Sequence, residues 1–435
     1  MKRKFLKSTI AMMLATGMLI LAGCGGNTST SVDEAKSGDE ESKEKVKLSV
    51  AVNFNQTEVT YTNLQEIIAN FETENSDIDV ELAYLPDYES TMKTKMAAND
   101  LPDLWSTHGW SVARYSEYLT PLQDQPWASK IDPLIKPVIT NTNDEIFVLP
   151  MDYDVAGIAF NKTVLDEARV DPFEIKTWDN FKAACEKVKA VGKTPLYIGG
   201  AKDDWTVGNF FDWVAPSFLI TNESKNYRNE LKDGSFDWNN WKPVAQLFDD
   251  LYKSDYMNKN VAEGTWPEVG EQLAKGNAAF AFFGNYVIGE AKKFAPDGEY
   301  GFIPVPANTP DDEPSLITGE RSTLGIWKDT KHPEEAKRFL EFLAKPENIN
   351  KVASGNLAPT GLSGDGYKSD TGNLAPYFEN ATNFRGFGYF DREYLPNGMW
   401  DSLCKTGTGI ISGTMDMDNV VKKLKEDYDR LRSQQ

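Results

Sequence analysis

The segment 146–160, IFVLPMDYDVAGIAF, restricts the possible folds of this 435-residue chain more than any other stretch. It begins as an apolar strand, is interrupted at Pro150, and passes through the polar Asp152-Tyr153-Asp154 before an apolar strand resumes. Proline lacks a backbone donor and therefore interrupts a central strand. A strand that breaks and then continues is typical of a chain that crosses from one sheet to another. The sequence therefore predicts two sheets with a crossing between them.

Alternating elements before the crossing predict an α/β fold. The apolar and β-branched residues of Val46–Val52 and Ile78–Tyr84 indicate strands, and a short third strand is expected at 103–106. Apolar residues at helical spacing predict helices over 62–75 and 88–99. Because strands that alternate with helices form a largely parallel sheet, we expect an α/β layer in this part of the chain.

Polar and aromatic side chains follow the first and third of these strands. Ligands of open α/β sheets bind beyond the carboxyl ends of the strands. We therefore expect one crevice to contain Asn53, Asn55, Ser106, His108 and Trp110.

The composition excludes several classes of function. The chain has 46 Lys and Arg against 66 Asp and Glu, a formal net charge of −20, whereas nucleic acids and anionic membrane surfaces are bound by basic proteins. With two His and three Cys residues, a Zn or Fe–S site and a disulfide-dense scaffold are not expected. For Cys185 and Cys404, free thiols and a disulfide are both open. Because the sequence has neither a catalytic motif nor a phosphate loop, it predicts a protein without enzymatic activity, metal or cofactor.

The first 45 residues have the pattern of an exported and anchored protein. Four basic residues precede an apolar stretch of about a dozen residues, shorter than the ~20 that a membrane span needs, so we interpret 1–23 as a signal peptide. Leu21-Ala22-Gly23-Cys24 resembles a bacterial lipobox, in which Cys24 is lipidated; an ordinary secretory peptide is the alternative. The polar stretch 24–45 is then a disordered tether. The expected location is the outer face of the cytoplasmic membrane of a Gram-positive bacterium.

Five groups of short motifs follow one another along the rest of the chain. They are Leu101-Pro102-Asp103-Leu104; Val148-Leu149-Pro150 with Phe160-Asn161-Lys162; Lys176-Thr177-Trp178-Asp179-Asn180-Phe181; Gly276-Asn277-Ala278-Ala279-Phe280 with Gly284-Asn285-Tyr286; and His332-Pro333-Glu334-Glu335-Ala336 with Phe339-Leu340-Glu341-Phe342-Leu343. Each motif alone is weakly specific. In this order, over residues 46–435, they resemble the extracellular solute-binding proteins of ABC importers, specifically the oligosaccharide-binding family that includes maltose-binding protein.

The resemblance implies a type II periplasmic-binding-protein fold, in which three crossings join two α/β lobes and a ligand is held in the cleft between them. The first lobe is expected at 46–153 plus 307–360, and the second lobe at 154–306 plus 361–435. The lobes would close around an oligosaccharide by a hinge motion. The closed form, a monomer, would then deliver the sugar to the permease of an ABC importer.

The resemblance also implies which residues contact the ligand. A sugar presents hydroxyl groups and flat apolar faces, so its site needs carboxylates or amides together with aromatic rings. By position, Asp154 is similar to a carboxylate of the family that binds sugar hydroxyls, and Asp152 lies on the same strand face. Tyr286 and Trp400 resemble stacking aromatics of the family, although Trp is more common at the former position. Solvated hinge acids and core aromatics are the alternative roles.

Two further pairs complete the predicted site. Most aromatic residues of 201–219 are expected in the core, but Trp205 resembles, together with Asp204, a paired aromatic and acid of the second lobe. Glu320 and Arg321 lie where the chain returns to the first lobe, and either contact the sugar or bridge each other. The first lobe contributes four candidates, namely Asn53, Asn55, His108 and Trp110.

Two alternative functions fit parts of the pattern. The same fold could bind another solute, such as a polyol, glycerol phosphate, a peptide or a metal. Few His and Cys residues disfavour a metal, and a phosphate would need more Arg and Lys in the cleft than the sequence indicates. A surface glycoside hydrolase would use two carboxylates ~5–9.5 Å apart, but it does not account for the crossings.

Overall fold

The computed structural model describes residues 45–434 except 57, 87, 222–224 and 382–383. The expected signal peptide, the lipidation site Cys24 and the tether up to residue 44 lie outside the described residues. The described part belongs to one compact unit, Glu44–Gln435. None of the helices in the described ranges combines the length and apolarity that a membrane span needs.

Strands and helices alternate along most of this part of the chain. The strands are β1 (Val46–Val52), β2 (Ile78–Tyr84), β3 (Leu104–Trp105), β4 (Val148–Pro150), β5 (Tyr153–Ala156), β6 (Ile158–Asn161), β7 (Thr194–Leu196), β8 (Ala278–Ala281), β9 (Tyr300–Ile303), β10 (Ser315–Glu320), β11 (Thr323–Ile326) and β12 (Arg385–Phe387). The α-helices are α1 (Val59–Glu74), α2 (Tyr88–Ala98), α3 (Lys136–Ile139), α4 (Lys162–Glu167), α5 (Trp178–Ala190), α6 (Trp205–Leu219), α7 (Arg228–Asp233), α8 (Lys242–Lys253), α9 (Trp266–Ala274), α10 (Gly284–Phe294), α11 (Pro333–Leu343), α12 (Pro346–Gly355), α13 (Ala375–Ala381), α14 (Phe390–Tyr394), α15 (Met399–Ile411) and α16 (Met417–Arg432).

A five-stranded sheet forms the part that we term the first lobe. Its order is β2-β1-β3-β11-β4. Strand β1 is parallel to β2 and β3, and β11 is antiparallel to β3 and β4. Helix α11 packs on β1 and β11, and α1 packs on β2. Because β1 and β3 are parallel neighbours, the loops that follow them leave from the same edge of the sheet.

A four-stranded sheet, in the order β7-β8-β6-β9, forms the part that we term the second lobe. Helices α6, α8, α15 and α16 pack on one another beside it. Aromatic rings fill the core: Phe210 and Phe282 have centroids 4.8 Å apart, and Trp178 stacks on Phe282 at 5.9 Å. Most aromatic residues of 201–219 are therefore core residues, as the sequence predicts.

The segment 146–160 contributes one strand to each of three sheets. Strand β4 lies in the first lobe and β6 in the second, while β5 joins β10 and β12 in a separate three-stranded sheet. The stretch expected to interrupt the strand is thus partly a strand itself, with Asp154 opposite Gly319 of β10. The predicted crossing exists, but a small sheet lies along it. An isolated antiparallel β-bridge pairs Asp152 with Thr360, so the segment around Thr360 also lies beside this crossing.

Both cysteines in the described ranges are free. Cys185 and Cys404 are buried, and burial raises the pKa of each thiol well above its usual value. The structure therefore selects free thiols over the disulfide.

Candidate functional site

A cleft of about 600 Å³ is lined by residues of both lobes and of β5. Its volume lies within the ~300–1,000 Å³ typical of small-molecule sites. Six of the twelve residues predicted to contact a ligand line it: His108, Trp110, Asp154, Trp205, Tyr286 and Trp400.

Three helices of the second lobe begin at this cleft. Trp205 is the first residue of α6, Asn285 and Tyr286 lie in the first turn of α10, and Trp400 lies in the first turn of α15. The first backbone N–H groups of a helix have no partner within it and can donate to a bound oxygen atom. This edge of the second lobe therefore presents aromatic side chains next to backbone donors.

The aromatic residues of the second lobe form a continuous wall. The ring centroids of Trp205 and Trp266 are 5.0 Å apart, and those of Trp266 and Tyr286 are 5.6 Å apart. Phe283 packs edge-on against Trp266 at 4.7 Å. These contacts hold the rings in place, so a flat apolar ligand face meets a wall with little freedom to move.

Asp154 occupies the centre of a partly buried polar network. Its Oδ2 accepts a hydrogen bond of 2.6 Å from the Tyr389 hydroxyl, and its Oδ1 lies 3.6 Å from Nη1 of Arg321. The Arg321 guanidinium in turn lies 4.4 Å from the centroid of Tyr286. Asp154 is thus held between a hydroxyl donor and a cation, with its Oδ1 lacking a hydrogen-bond partner among the described residues.

The protonation states of this network are fixed by burial and charge. Burial raises the pKa of Tyr389 well above its usual value, and the charge of Asp154 raises it further. Burial would lower the pKa of Arg321, but the surrounding groups, Asp154 first among them, together outweigh this effect and raise it. Tyr389 therefore stays a neutral donor and Arg321 a cation at any physiological pH.

A second group of polar side chains in the cleft is absent from the sequence predictions. The backbone N–H of Asp391 donates to Oδ1 of Asp212 at 2.6 Å. Burial, and next the charge of Asp391, raise the pKa of Asp212 well above its usual value. Asn285 also lines the cleft, and its Nδ2 lacks a partner among the described residues. A hydroxyl-rich ligand would therefore meet both donors and acceptors.

Asp152 and Glu320, both predicted to contact the ligand, lie beneath the cleft instead. Asp152 is fully buried and accepts from the backbone N–H of Ser322 at 2.7 Å, and also from Nδ2 of Asn356. Glu320 is also buried. It accepts from the hydroxyl of Thr107 and from the backbone N–H of residue 111, both at 2.8 Å. These carboxylates join separate segments of the chain to one another.

Four further predicted residues do not line the cleft. Asn53 accepts a hydrogen bond of 2.8 Å from Ser106, and Asn55 is exposed in the loop before α1. Asp204 precedes α6 without lining the cleft, and Arg321 lies behind Tyr286. Glu320 and Arg321 do not form an ion pair with each other, because Glu320 bonds to Thr107 and Ser111 and Arg321 pairs with Asp154.

Both signs of charge line the cleft. The carboxyl groups belong to Asp154, Asp212, Asp391 and Asp401, and the cations to Lys93, Arg114 and Arg392. In the described part of the chain, no group of three or more His, Cys, Asp or Glu side chains could hold a metal ion. A balanced set of charges with aromatic walls suits a neutral, hydroxylated ligand better than an ion.

The fold and the cleft together define a two-lobed solute-binding protein. The sequence model for the bacterial extracellular solute-binding proteins matches residues 55–349, and the chain therefore belongs to this family. The chain is 32% identical to the melibiose/raffinose/stachyose-binding protein MelE of Bacillus subtilis (strain 168) over 433 residues, which cover 99% of this chain and 98% of the relative. The predicted family and fold class are thus confirmed.

Solved structures agree with this assignment. The binding protein msme of Bacillus subtilis, in an open conformation, superposes with a TM-score of 0.82 at 32% identity and covers 90% of this chain and 98% of its own. A sugar transporter protein of Bacillus licheniformis in complex with stachyose superposes with a TM-score of 0.78 at 31% identity, covering 89% of this chain and 100% of its own.

Proposed function

We propose that this protein is the extracellular sugar-capturing component of an ABC importer and binds an oligosaccharide in the cleft. The observation that carries this proposal is the likeness over nearly the whole chain to a melibiose/raffinose/stachyose-binding protein. A stachyose-bound neighbour at 31% identity supports it. Relatives of this kind are transport proteins that bind their substrates, which favours binding without catalysis.

The class of sugar follows from what these relatives bind. Melibiose, raffinose and stachyose all carry a terminal galactose joined by an α-1,6 linkage, and we infer that such a galactoside is the ligand. Its ring faces would stack on Trp205, Tyr286 and Trp400, while Asp154 and Asn285 would bond its hydroxyls. The mixture of buried hydrogen-bond donors and acceptors supports this inference. A ligand without matching hydroxyl groups would leave these donors and acceptors unpaired, which lowers its binding free energy.

The remaining features fit the same transport role. We propose lobes at 46–153 plus 307–360 and at 154–306 plus 361–435, which close on the sugar and present it to a permease as a monomer. Cys24 would carry the lipid anchor, and 24–45 would serve as the tether, at the outer face of the membrane of a Gram-positive cell.

Isothermal titration calorimetry of the compact unit Glu44–Gln435 tests this proposal. We expect saturable binding of raffinose and stachyose, weaker or no binding of maltotriose, and full recovery of intact sugar afterwards. Glycerol 3-phosphate serves as an anionic comparison, because Lys93, Arg114 and Arg392 line the cleft. Binding of the phosphate alone would contradict a sugar-binding role, and release of monosaccharide would indicate a hydrolase.

A further inference from the structure

The side chain of Arg392 reaches from one lobe to the other at the cleft. It belongs to α14, which packs on α6 of the second lobe. Its Nη1 donates a hydrogen bond of 3.2 Å to the backbone carbonyl of His108, in the loop that follows β3 of the first lobe. The protein therefore joins its two lobes directly at the ligand site.

The same guanidinium group packs on aromatic rings from both sides of the cleft. It lies 4.7 Å from the centroid of Trp110 in the first lobe and 4.0 Å from that of Tyr389, which bonds to Asp154. The Arg114 guanidinium lies 3.6 Å from the Trp110 centroid. Two cations thus contact the ring of a buried tryptophan, which is an arrangement that orients the ring.

The backbone of the first lobe is shaped to receive Arg392. Gly109 has φ +86°, a conformation that residues with a Cβ rarely adopt, and a Cβ built there would lie 1.4 Å from Nη1 of Arg392. Residue 108 also has a positive φ, of 42°. Only a glycine at 109 permits the close approach of the guanidinium to the His108 carbonyl.

We propose that Arg392 is a positioning residue that sets the affinity of the cleft, by holding Trp110 and the His108 carbonyl against the second lobe. This inference rests on the proposed sugar-binding function. Since the two contacts to the first lobe require the lobes to be close together, they stabilise the closed form both with and without sugar. When the closed form is already favoured, less of the ligand's binding free energy is needed to close the lobes, and the affinity for the ligand is higher.

The test compares Arg392→Ala, Arg392→Lys and Gly109→Ala with the wild type by stachyose calorimetry, dissociation rates and small-angle X-ray scattering without sugar. We expect Arg392→Ala to bind stachyose about tenfold more weakly or worse, to release it faster, and to have a larger sugar-free radius of gyration. Arg392→Lys keeps a donor but loses the planar stacking, so its affinity should be intermediate. Gly109→Ala should resemble Arg392→Ala although Arg392 is intact.

Arg338→Ala serves as the matched control, because Arg338 lies on α11, pairs with Asp77 at 2.9 Å and does not line the cleft. It should bind stachyose as the wild type does. Unchanged affinity of Arg392→Ala, or unchanged sugar-free scattering, would overturn the positioning role. If the wild type binds none of the sugars, the proposed function fails by itself, and the scattering of sugar-free Arg392→Ala still decides whether the residue holds the lobes together.

Discussion

At the scale of single residues, Asp154 shows how one carboxyl group can be held in a fixed orientation at the edge of a cleft. One oxygen accepts from the Tyr389 hydroxyl, and the other lies 3.6 Å from Nη1 of Arg321. These two contacts fix the direction in which the carboxyl group points. The oxygen that lacks a hydrogen-bond donor among the described residues is the one that a ligand hydroxyl can satisfy.

Substitution of Trp400 tests whether the aromatic side chains of the cleft contact the sugar. We predict that Trp400→Ala weakens stachyose binding by about 1–3 kcal/mol, because it removes apolar contact area from the cleft. The half-exposed Phe173, at 48% relative exposure, lies outside the cleft lining, and Phe173→Ala should leave the affinity unchanged. Calorimetry of both variants, with circular dichroism to verify folding, measures the difference. Equal affinity of the two variants would make Trp400 a packing residue.

Asp152 gives the protein a defined dependence of stability on pH. Burial raises its pKa to about 6, above the ~3.9 of an unfolded chain. The folded protein therefore retains a proton that the unfolded chain has already lost, so the contribution of this group to stability is present below about pH 4 and is lost as the pH rises through about 6.

We predict that Asp152→Asn removes this dependence. Between about pH 4 and pH 7, its free energy of unfolding should rise relative to that of the wild type by about 2–3 kcal/mol, the equivalent of a pKa difference near two units. Urea unfolding at several pH values measures this change. The exposed Asp297→Asn should follow the wild-type pH profile. Parallel profiles of Asp152→Asn and the wild type would show that Asp152 does not retain the proton.

At the scale of secondary-structure elements, local signals in the sequence determine where several elements begin. Thr177 accepts a hydrogen bond from the backbone N–H of Asn180, whose side chain accepts from the backbone N–H of Thr177. This capping box starts α5 at Trp178. Strands β1 and β2 have their predicted bounds. These features depend on neighbouring residues, which is why the sequence suffices to predict them.

Thr177→Ala should lower the free energy of unfolding by about 1 kcal/mol, because the first turn of α5 loses its side-chain cap. The matched control is Thr94→Ala, within α2, where the hydroxyl donates to the backbone carbonyl of Ser90 in the preceding turn. The control should change stability by less than about 0.5 kcal/mol. Urea unfolding distinguishes the two, and an equal effect of both substitutions would contradict the role of the cap.

Much of the site could not be predicted, because it arises where distant elements meet. The sequence identifies Asp154, Trp205 and Trp400, which line the cleft, but not Tyr389 or Arg392. These two lie just before and within α14, a short helix far along the chain. No local pattern distinguishes these residues from ordinary surface residues.

One cleft residue in α6 could have been recognised from the sequence. Asp212 lies between Phe211 and Trp213 on a helix whose neighbouring residues are almost all buried. A charged residue at a buried helical position needs a partner or a function. Conversely, Asp152 and Glu320 have the residue type expected of ligand contacts, yet nothing in the sequence reveals that backbone N–H groups of other segments already occupy their oxygens.

At the scale of the whole molecule, the two lobes are linked by the small sheet of β5, β10 and β12 and by Arg392 across the cleft. A ligand that contacts both lobes stabilises their closed arrangement and thereby the folded state. We predict that stachyose at about 100 times its dissociation constant raises the free energy of unfolding by about 2.7 kcal/mol. Urea unfolding with and without sugar measures this effect. No shift at saturation would contradict binding to the folded protein.

A crystal structure of the protein with stachyose tests the central claim most directly, since it shows where the sugar lies. We predict that the sugar occupies the cleft, with a hydroxyl within about 2.7–3.2 Å of Asp154 Oδ1 and a ring stacked on Trp205, Tyr286 or Trp400. Stachyose bound at another surface, with the cleft occupied by solvent, would contradict the assignment of this cleft as the sugar site.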